Sequence, residues 1–261
     1  MNEVNKTLYI PLYGKAYVTE KGLLLDDPKA VEIWNAEGFP LKGKSKSKWL
    51  AYYMAMRAKV FDRWVEQKLR ELPGAAVLHL GCGMDSRCLR VAHGDAVWYD
   101  VDFPDVIQVR RRYYEENENY RMISGDAREG GWLQQIPGNQ AIVVMEGISM
   151  YLSHEELKAV MENLYGRFEK LEVLMDCYSE FAAKMSKYKN PINDVGVTEV
   201  YGMDDPRVLE HGDLRYWGEL DMTPGDLIDQ LPGWEQKLFR KLYAGKSARK
   251  LYRMYAYRKE A

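Results

Sequence analysis

Ala75-Ala76-Val77-Leu78-His79-Leu80-Gly81-Cys82-Gly83-Met84-Asp85-Ser86-Arg87 is the stretch that decides the fold class of this chain. Ala76–Leu80 is an apolar run of strand length. Gly81 and Gly83 then supply a tight turn, and a helix is expected over Arg87–Ala92. Glycine permits backbone conformations other residues avoid, so a turn of this kind brings main-chain N–H groups close to a bound ligand.

Outward from that turn the chain alternates between sheet and helix. Candidate strands are Ala76–Leu80, Ala96–Val101, Tyr120–Ile123, Ala141–Met145 and Leu171–Asp176. Helical candidates lie between them at Arg87–Ala92, Pro104–Glu116, Gly131–Gln135 and His154–Phe168, the last opened by a Ser153/Glu156 capping box. Apolar strands separated by such segments predict a mostly parallel sheet covered on both faces. Trp234–Leu242 and Lys250–Arg258, joined by residues 243–247, are expected as an antiparallel hairpin at the edge. The total is a seven-stranded α/β sheet.

Upstream, Asp27-Pro28 opens a short helix carrying Ala30, Val31 and Trp34. A long amphipathic helix is expected from about Ser47 to Leu72, with Leu50, Met54, Ala58, Phe61, Val65 and Leu69 on one side, and Pro73-Gly74 stops it. Four regions follow: a helical cap over residues 1–74, a cofactor-binding core over 75–177, a lid or substrate-facing insertion over 178–232, and the hairpin over 233–261. The third is polar, aromatic and punctuated by Gly and Pro, and it is too long for an ordinary connection.

The 37 basic and 39 acidic residues nearly cancel, so nothing predicts electrostatic capture of a nucleic acid. The basic patches at 42–48 and 110–112 fit solvated surface. Nor is there an Asn/Asp-Pro-Pro-aromatic sequence suited to an extruded base. Cys82, Cys88 and Cys177 form neither a zinc spacing nor a disulfide framework, so no metal is expected and a reducing interior is. With no signal peptide or long apolar span visible, the expectation is a cytoplasmic protein without membrane contact. The 19 Tyr and 7 Trp fit either a pocket lined by aromatics or bulky core residues with polar tips.

Ser86 stands where a dinucleotide fingerprint has its third glycine. Its presence argues against NAD or FAD and for a cofactor that has no pyrophosphate. Asp102, 21 positions beyond Gly81, follows the second strand. Its carboxylate is placed to accept hydrogen bonds from both ribose hydroxyls. Asp100 competes for that role, but Pro104 fixes the turn directly after Asp102. Asp126 follows the third strand and suits either an adenine amine or a helix N-cap. Glu146, at the carboxyl end of the fourth strand beside Gly147, lies where open α/β sheets bind ligands, and suits a cationic amino group or the substrate. Tyr151 is a candidate for the pocket wall or for packing.

Taken in order, Leu80-Gly81-Cys82-Gly83-Met84-Asp85-Ser86-Arg87, Val101-Asp102-Phe103-Pro104, Met145-Glu146-Gly147-Ile148-Ser149-Met150-Tyr151-Leu152 and the earlier Pro11-Leu12-Tyr13-Gly14-Lys15-Ala16 resemble the leucine carboxyl methyltransferase family, in particular its bacterial small-molecule branch of polyketide carboxyl O-methyltransferases. The resemblance covers most of the chain. It implies a Rossmann-like, S-adenosylmethionine-dependent methyltransferase fold with S-adenosyl-L-methionine as cofactor. It places Gly81 and Gly83 beside the cofactor, Asp102 at its ribose, Asp126 at its adenine and Glu146 near its amino-acid end. Lys15 and Arg57 match the family's basic residues at the cofactor carboxylate. Ser86 stands where the family usually has Thr, which keeps the hydroxyl.

From the residues alone, Arg57 suits either bidentate pairing with a carboxylate or snorkelling to solvent. Arg87 is expected to pair with Asp85 or Asp102 and set the loop's shape. The function expected is O-methylation, of a small-molecule carboxylate first and a hydroxyl second, with a protein C-terminus behind these. Arg57 and Tyr151 are the candidates for orienting the acceptor. A carboxylate is already anionic and needs no strong base; a phenol or alcohol would direct attention to His154 or His211. The competing readings are an NAD(P)-dependent oxidoreductase and a non-catalytic ligand-binding protein on the same fold.

Overall fold

The structure, a computed structural model, describes residues 6–189, 192–193 and 199–260. Residues 190–191 and 194–198 of the expected 178–232 insertion therefore lie outside the described residues.

Five parallel strands make the centre: β1 (Ala76–Leu80), β2 (Trp98–Asp102), β3 (Tyr120–Ser124), β4 (Gln140–Met145) and β5 (Lys170–Tyr178). Two further strands, β6 (Arg215–Leu220) and β7 (Tyr252–Lys259), complete the order β3-β2-β1-β4-β5-β7-β6. β7 runs antiparallel to both β5 and β6. The sheet is covered on both faces, as near-continuous apolar strands require. Val77 and Val144 pack with the N-terminal helices, while Leu78, Leu80 and Val143 pack on the other side with Leu157, Met161 and Leu164.

Three helices precede the sheet: α1 (Tyr9–Glu20), α2 (Pro28–Glu37) and α3 (Lys48–Glu71). The first was not legible, because Pro11 and Gly14 both argue against a helix. Pro11 is tolerated because N–H groups in a first turn lack helical partners anyway. Gly14 marks a close crossing: a Cβ there would sit 3.2 Å from Met54 Cβ and 3.3 Å from Ala51 Cα of α3.

Two predicted helices after β1 and β2 are shorter than expected. α4 covers only Arg87–Arg90 and α5 only Pro104–Arg110. α6 (His154–Arg167) carries the Ser153/Glu156 capping box in full. α7 (Glu180–Lys189) follows β5, and α8 (Gly225–Ile228), α9 (Gly233–Leu242) and α10 (Lys246–Arg249) precede β7.

The C-terminal hairpin expectation needs correction. Residues 233–242 are the helix α9, not a strand, and the outer strand comes from within the expected insertion, at Arg215–Leu220. The spacing of Glu235 and Phe239, one turn apart and both buried, is helical. Glu235 anchors that face by accepting from Lys48 Nζ (2.8 Å) and Tyr52 Oη (2.7 Å) of α3. β6 escaped notice because it is an edge strand. Its residues alternate between exposed and half-buried with none fully buried, and it carries a bulge between Tyr216 and Gly218, a feature that protects an edge from further pairing.

Among the described residues no helix is long and apolar enough to cross a membrane. The cysteines are free and buried.

Candidate active site

The strand order reverses between β1 and β4, which lead to β2 and β5 in opposite directions. Open α/β sheets bind ligands in the crevice at such a point, outside the carboxyl ends of the strands. A cavity of about 800 Å³ opens there, a size suited to a cofactor with a second ligand. Lys15, Arg57, Gly81, Gly83, Asp102, Asp126, Glu146 and Tyr151 all line it. His154 and His211 do not: His154 Nε2 lies 2.7 Å from the Gly202 carbonyl, and His211 faces Glu162 and the Tyr165 ring.

The turn after β1 has no room for larger residues. Gly81 has φ +64°, and a Cβ there would lie 2.0 Å from Ile148 Cγ2, so the chain after β4 closes directly onto the turn after β1. Gly83 has φ +50° and donates its N–H to Asp102 Oδ2 at 2.8 Å. Asp102 Oδ1 accepts from the Phe103 N–H at the same distance. With one lone pair on each oxygen taken, two remain for ligand hydroxyls. Burial pushes the Asp102 carboxyl up to about 6, against the opposing pull of those two N–H groups. Asp100, one step earlier on that face of β2, does not line the cavity. Arg110, Tyr120 Oη (2.7 Å) and Trp98 Nε1 (3.0 Å) all donate to it.

Glu146 sits among cations. Its Oε1 lies 2.9 Å from Arg57 Nη2 and 4.0 Å from Lys15 Nζ, and Arg87 Nη2 donates to its Oε2. Burial alone would raise its pKa, but Arg57, Arg87 and Lys15 outweigh that and hold it down to about 2. Arg57 does not snorkel. It is buried, and its Nη1 reaches Asp176 Oδ2 (2.9 Å) and Tyr252 Oη (2.6 Å). Its Nε is buried without a hydrogen-bond partner. Asp176 also accepts the Gly147 N–H (2.7 Å) and the Tyr252 hydroxyl (2.6 Å), tying the loop after β4 to the start of β7.

The ion pairs continue away from the cavity. Lys15 pairs with Asp85 (2.9 Å), and Arg87 with Asp62 (2.7 Å) and Asp85 (3.4 Å), not with Asp102. Arg90 joins Asp62, Asp85 and Asp27. Ser86 donates to the Asp27 carboxylate (2.5 Å), whose Oδ1 also caps α2 through the Ala30 N–H (2.9 Å). The place at which a dinucleotide pyrophosphate would meet the helix start thus holds a carboxylate of the chain itself.

Asp126 lies at the cavity's far side, held by Arg128. The guanidinium Nε is 2.9 Å from both Asp126 oxygens, and the Arg128 N–H is 2.9 Å from Oδ1. It caps this turn rather than a helix; the following 3₁₀ turn begins only at Gly130. Tyr151 is half-buried in the wall, and burial raises its phenol pKa.

Asp176, Tyr53, Tyr178 and Tyr252 line or support the cavity without having been singled out in the sequence, and Asp85, expected only as a partner of Arg87, lines it too. Only Asp176 carried a usable signal. It is beside Glu146 across the β4–β5 register, the same kind of carboxylate near the same end of a neighbouring strand.

The family model described as leucine carboxyl methyltransferase matches residues 12–165, more than half of the chain and the carboxyl ends of β1 to β4. The chain belongs to the leucine carboxyl methyltransferase family. It is 36% identical over 175 residues to the tetracenomycin polyketide synthesis O-methyltransferase TcmP of Streptomyces glaucescens, an alignment covering 64% of this chain and 65% of that protein. It is 29% identical over 229 residues to the S-adenosyl-L-methionine-dependent methyltransferase dpfgK of Gibberella zeae, covering 78% and 77%. Among solved structures it is similar in fold to the magnesium protoporphyrin IX methyltransferase of Synechocystis PCC 6803 with bound SAM. That match has a TM-score of 0.51 and 12% identity, and covers 90% of this chain and 99% of that one. A protein of the DUF574 family from Streptomyces avermitilis matches with a TM-score of 0.55 at 11% identity, covering 90% of each chain. The fold is thus the Rossmann-like α/β fold of S-adenosylmethionine-dependent methyltransferases.

Proposed function

We propose that this protein is an S-adenosylmethionine-dependent O-methyltransferase acting on the carboxylate of a small molecule, within the bacterial small-molecule branch of its family. The observation that carries the reading is the meeting of Asp102, Glu146, Arg57 and the Gly81–Gly83 turn around one cavity at the switch point of the sheet. The 36% identity to TcmP supports the branch.

The residues fit the cofactor. Asp102 keeps two lone pairs for the ribose hydroxyls, and the unpartnered Arg57 Nε suits a carboxylate. Glu146 suits an ammonium group, and Asp126 an adenine amine that it would share with Arg128. Among the described residues lining the cavity, Lys15, Arg57 and Arg128 stand with Asp85, Asp102, Asp126 and Glu146, three cations against four carboxylates. That excess suits a ligand of net positive charge.

When bound, S-adenosylmethionine supplies an electrophilic methyl group, which the lone pair of an acceptor oxygen takes while the C–S electron pair passes to sulfur. The chain's part is alignment and exclusion of water. Gly81 and Gly83 let the backbone approach, Asp126 and Glu146 meet the two ends of the donor with Asp102 between them, and Tyr151 walls the site. Arg57, held from behind by Asp176 and Tyr252, keeps a fixed orientation toward the reacting groups. His154 and His211 lie away from the cavity, which suits an acceptor that arrives already ionised. The regions named above are proposed to act accordingly: residues 1–74 as a cap, 75–177 as the cofactor-binding core, and 178–232 as the acceptor-facing part.

The test is calorimetric titration with S-adenosylmethionine, followed by transfer of a labelled methyl group to a panel of acids and phenols. Saturable binding, lost in Asp102→Ala, with a base-labile ester as product is the expected result. A base-stable ether would assign hydroxyl methylation instead. Folded protein that binds NAD(P) but not S-adenosylmethionine would sink the proposal.

A further inference from the structure

The apolar residues on α7 are placed where water reaches them and where the cavity opens. Phe181 and Met185 stand one helical turn apart, 63% and 49% exposed, and both line the cavity. Leu251, 40% exposed, lines it from the chain just before β7. Other large exposed apolar residues, such as Trp217, Trp234 and Leu242, are not part of the cavity. Isolated surface hydrophobics need no explanation, but apolar side chains gathered at the mouth of a cavity mark a surface that something covers.

The start of α7 is fixed rather than loose. Ser179 Oγ accepts from the Ala182 N–H (3.1 Å), and the Met203 N–H donates to the Tyr178 carbonyl (2.8 Å). Gly202 packs so closely on this corner that a Cβ would lie 2.3 Å from the Ser179 carbonyl oxygen. Deeper in, the wall is aromatic. The Tyr53 and Tyr252 rings lie 6.2 Å apart at 21°, and Tyr178 meets Tyr252 edge-on at 4.6 Å.

Charge does not compete with this apolar character. Among the described residues the lysines and arginines lining the cavity are Lys15, Arg57 and Arg128, and each already faces a carboxylate of the protein. An acceptor therefore gains its selectivity from apolar contact along the wall from Tyr53 and Tyr178 out to Phe181, Met185 and Leu251.

Resting on the methyltransferase reading above, we propose that Phe181, Met185 and Leu251 are specificity-determining residues, and that the acceptor is a bulky, ring-bearing hydrophobic acid. Its body lies over these three side chains, and its reacting oxygen points inward past Tyr178 and Tyr252. A second copy of the chain is the weaker occupant, because Phe181 and Met185 face into the same cavity as the residues assigned to the donor. Affinity then follows the apolar area covered, rising roughly five- to tenfold for each fused ring added.

The experiment uses the full chain saturated with S-adenosylhomocysteine and measures binding of benzoate, 2-naphthoate, anthracene-2-carboxylate and decanoate by calorimetry. Affinity is expected to rise with ring number, and anthracene-2-carboxylate to bind more tightly than decanoate. Phe181→Ala and Met185→Ala, both exposed changes that leave the core intact, are each expected to weaken anthracene-2-carboxylate about tenfold. Benzoate binding stays within about twofold, and S-adenosylhomocysteine affinity is unchanged. Absence of a ring-number trend, tighter binding of decanoate, or indifference of the tricyclic acid to both substitutions overturns the proposal. So does a dimer that Phe181→Asp dissociates while acid affinity stays constant. Failure of S-adenosylhomocysteine to bind counts against the methyltransferase reading instead; the acid series measured without it still decides the compartment.

Discussion

Asp102 is a carboxylate whose task and environment pull in opposite directions. In its proposed role as acceptor for ribose hydroxyls it is most effective ionised, yet burial raises its pKa to about 6. A ligand that prefers the ionised form binds at full strength above that pKa and progressively less below it. The dissociation constant for S-adenosylmethionine is therefore expected to be flat above about pH 7. It should rise by up to about tenfold per unit as pH falls below about 6. Asp102→Asn should bind more weakly at pH 8 and lose the dependence; calorimetry from pH 5 to 8 checks both. Persistence of the same pH dependence in the Asn variant would assign it to another group. Asp102 was legible in the sequence because a strand end, a proline and a spacing from the glycine turn all marked it. Its two N–H partners were not, since they depend on how the turn folds back.

The elements are joined by one layer of charge. Asp27 caps α2, accepts from Ser86 and pairs with Arg90, so a single carboxylate links a cap helix to the end of the glycine turn. Asp27→Ala is expected to cost about 2–4 kcal/mol in chemical denaturation, combining a lost N-cap with an unpartnered buried hydroxyl and a weakened ion pair. The variant should still bind S-adenosylmethionine, because Asp27 does not line the main cavity. A change below about 0.5 kcal/mol would show that α2 is not anchored there.

The elements also mark the limit of the sequence reading. α6 and the strands β1 to β5 announced themselves through capping and apolar runs, which are local signals. α9 was mistaken for a strand because its buried face, Glu235 and Phe239, includes a charged residue that only Lys48 and Tyr52 make comfortable. β6 went unseen because an edge strand has little reason to be apolar on both faces.

Across the whole molecule, the proposed donor site draws Lys15 from α1, Arg57 from α3 and Asp102 and Glu146 from the ends of β2 and β4. Those groups belong to the cap and to the sheet alike, and the Arg57–Asp176 pair carries the connection on to β5 and, through Tyr252, to β7. A ligand held by all of them stabilises the folded chain as one unit. At a concentration of one hundred times its dissociation constant, S-adenosylmethionine is expected to add about 2.7 kcal/mol. For a chain of this size that corresponds to a rise in Tm of roughly 5–10 °C. The same ligand should slow amide exchange in α1 and α3 together with β1 and β4, since opening the cap would release it. In Asp102→Ala both effects should shrink together. Two separate thermal transitions, or protection confined to the sheet, would mean that the cap opens independently and that Lys15 and Arg57 contribute little to holding the donor.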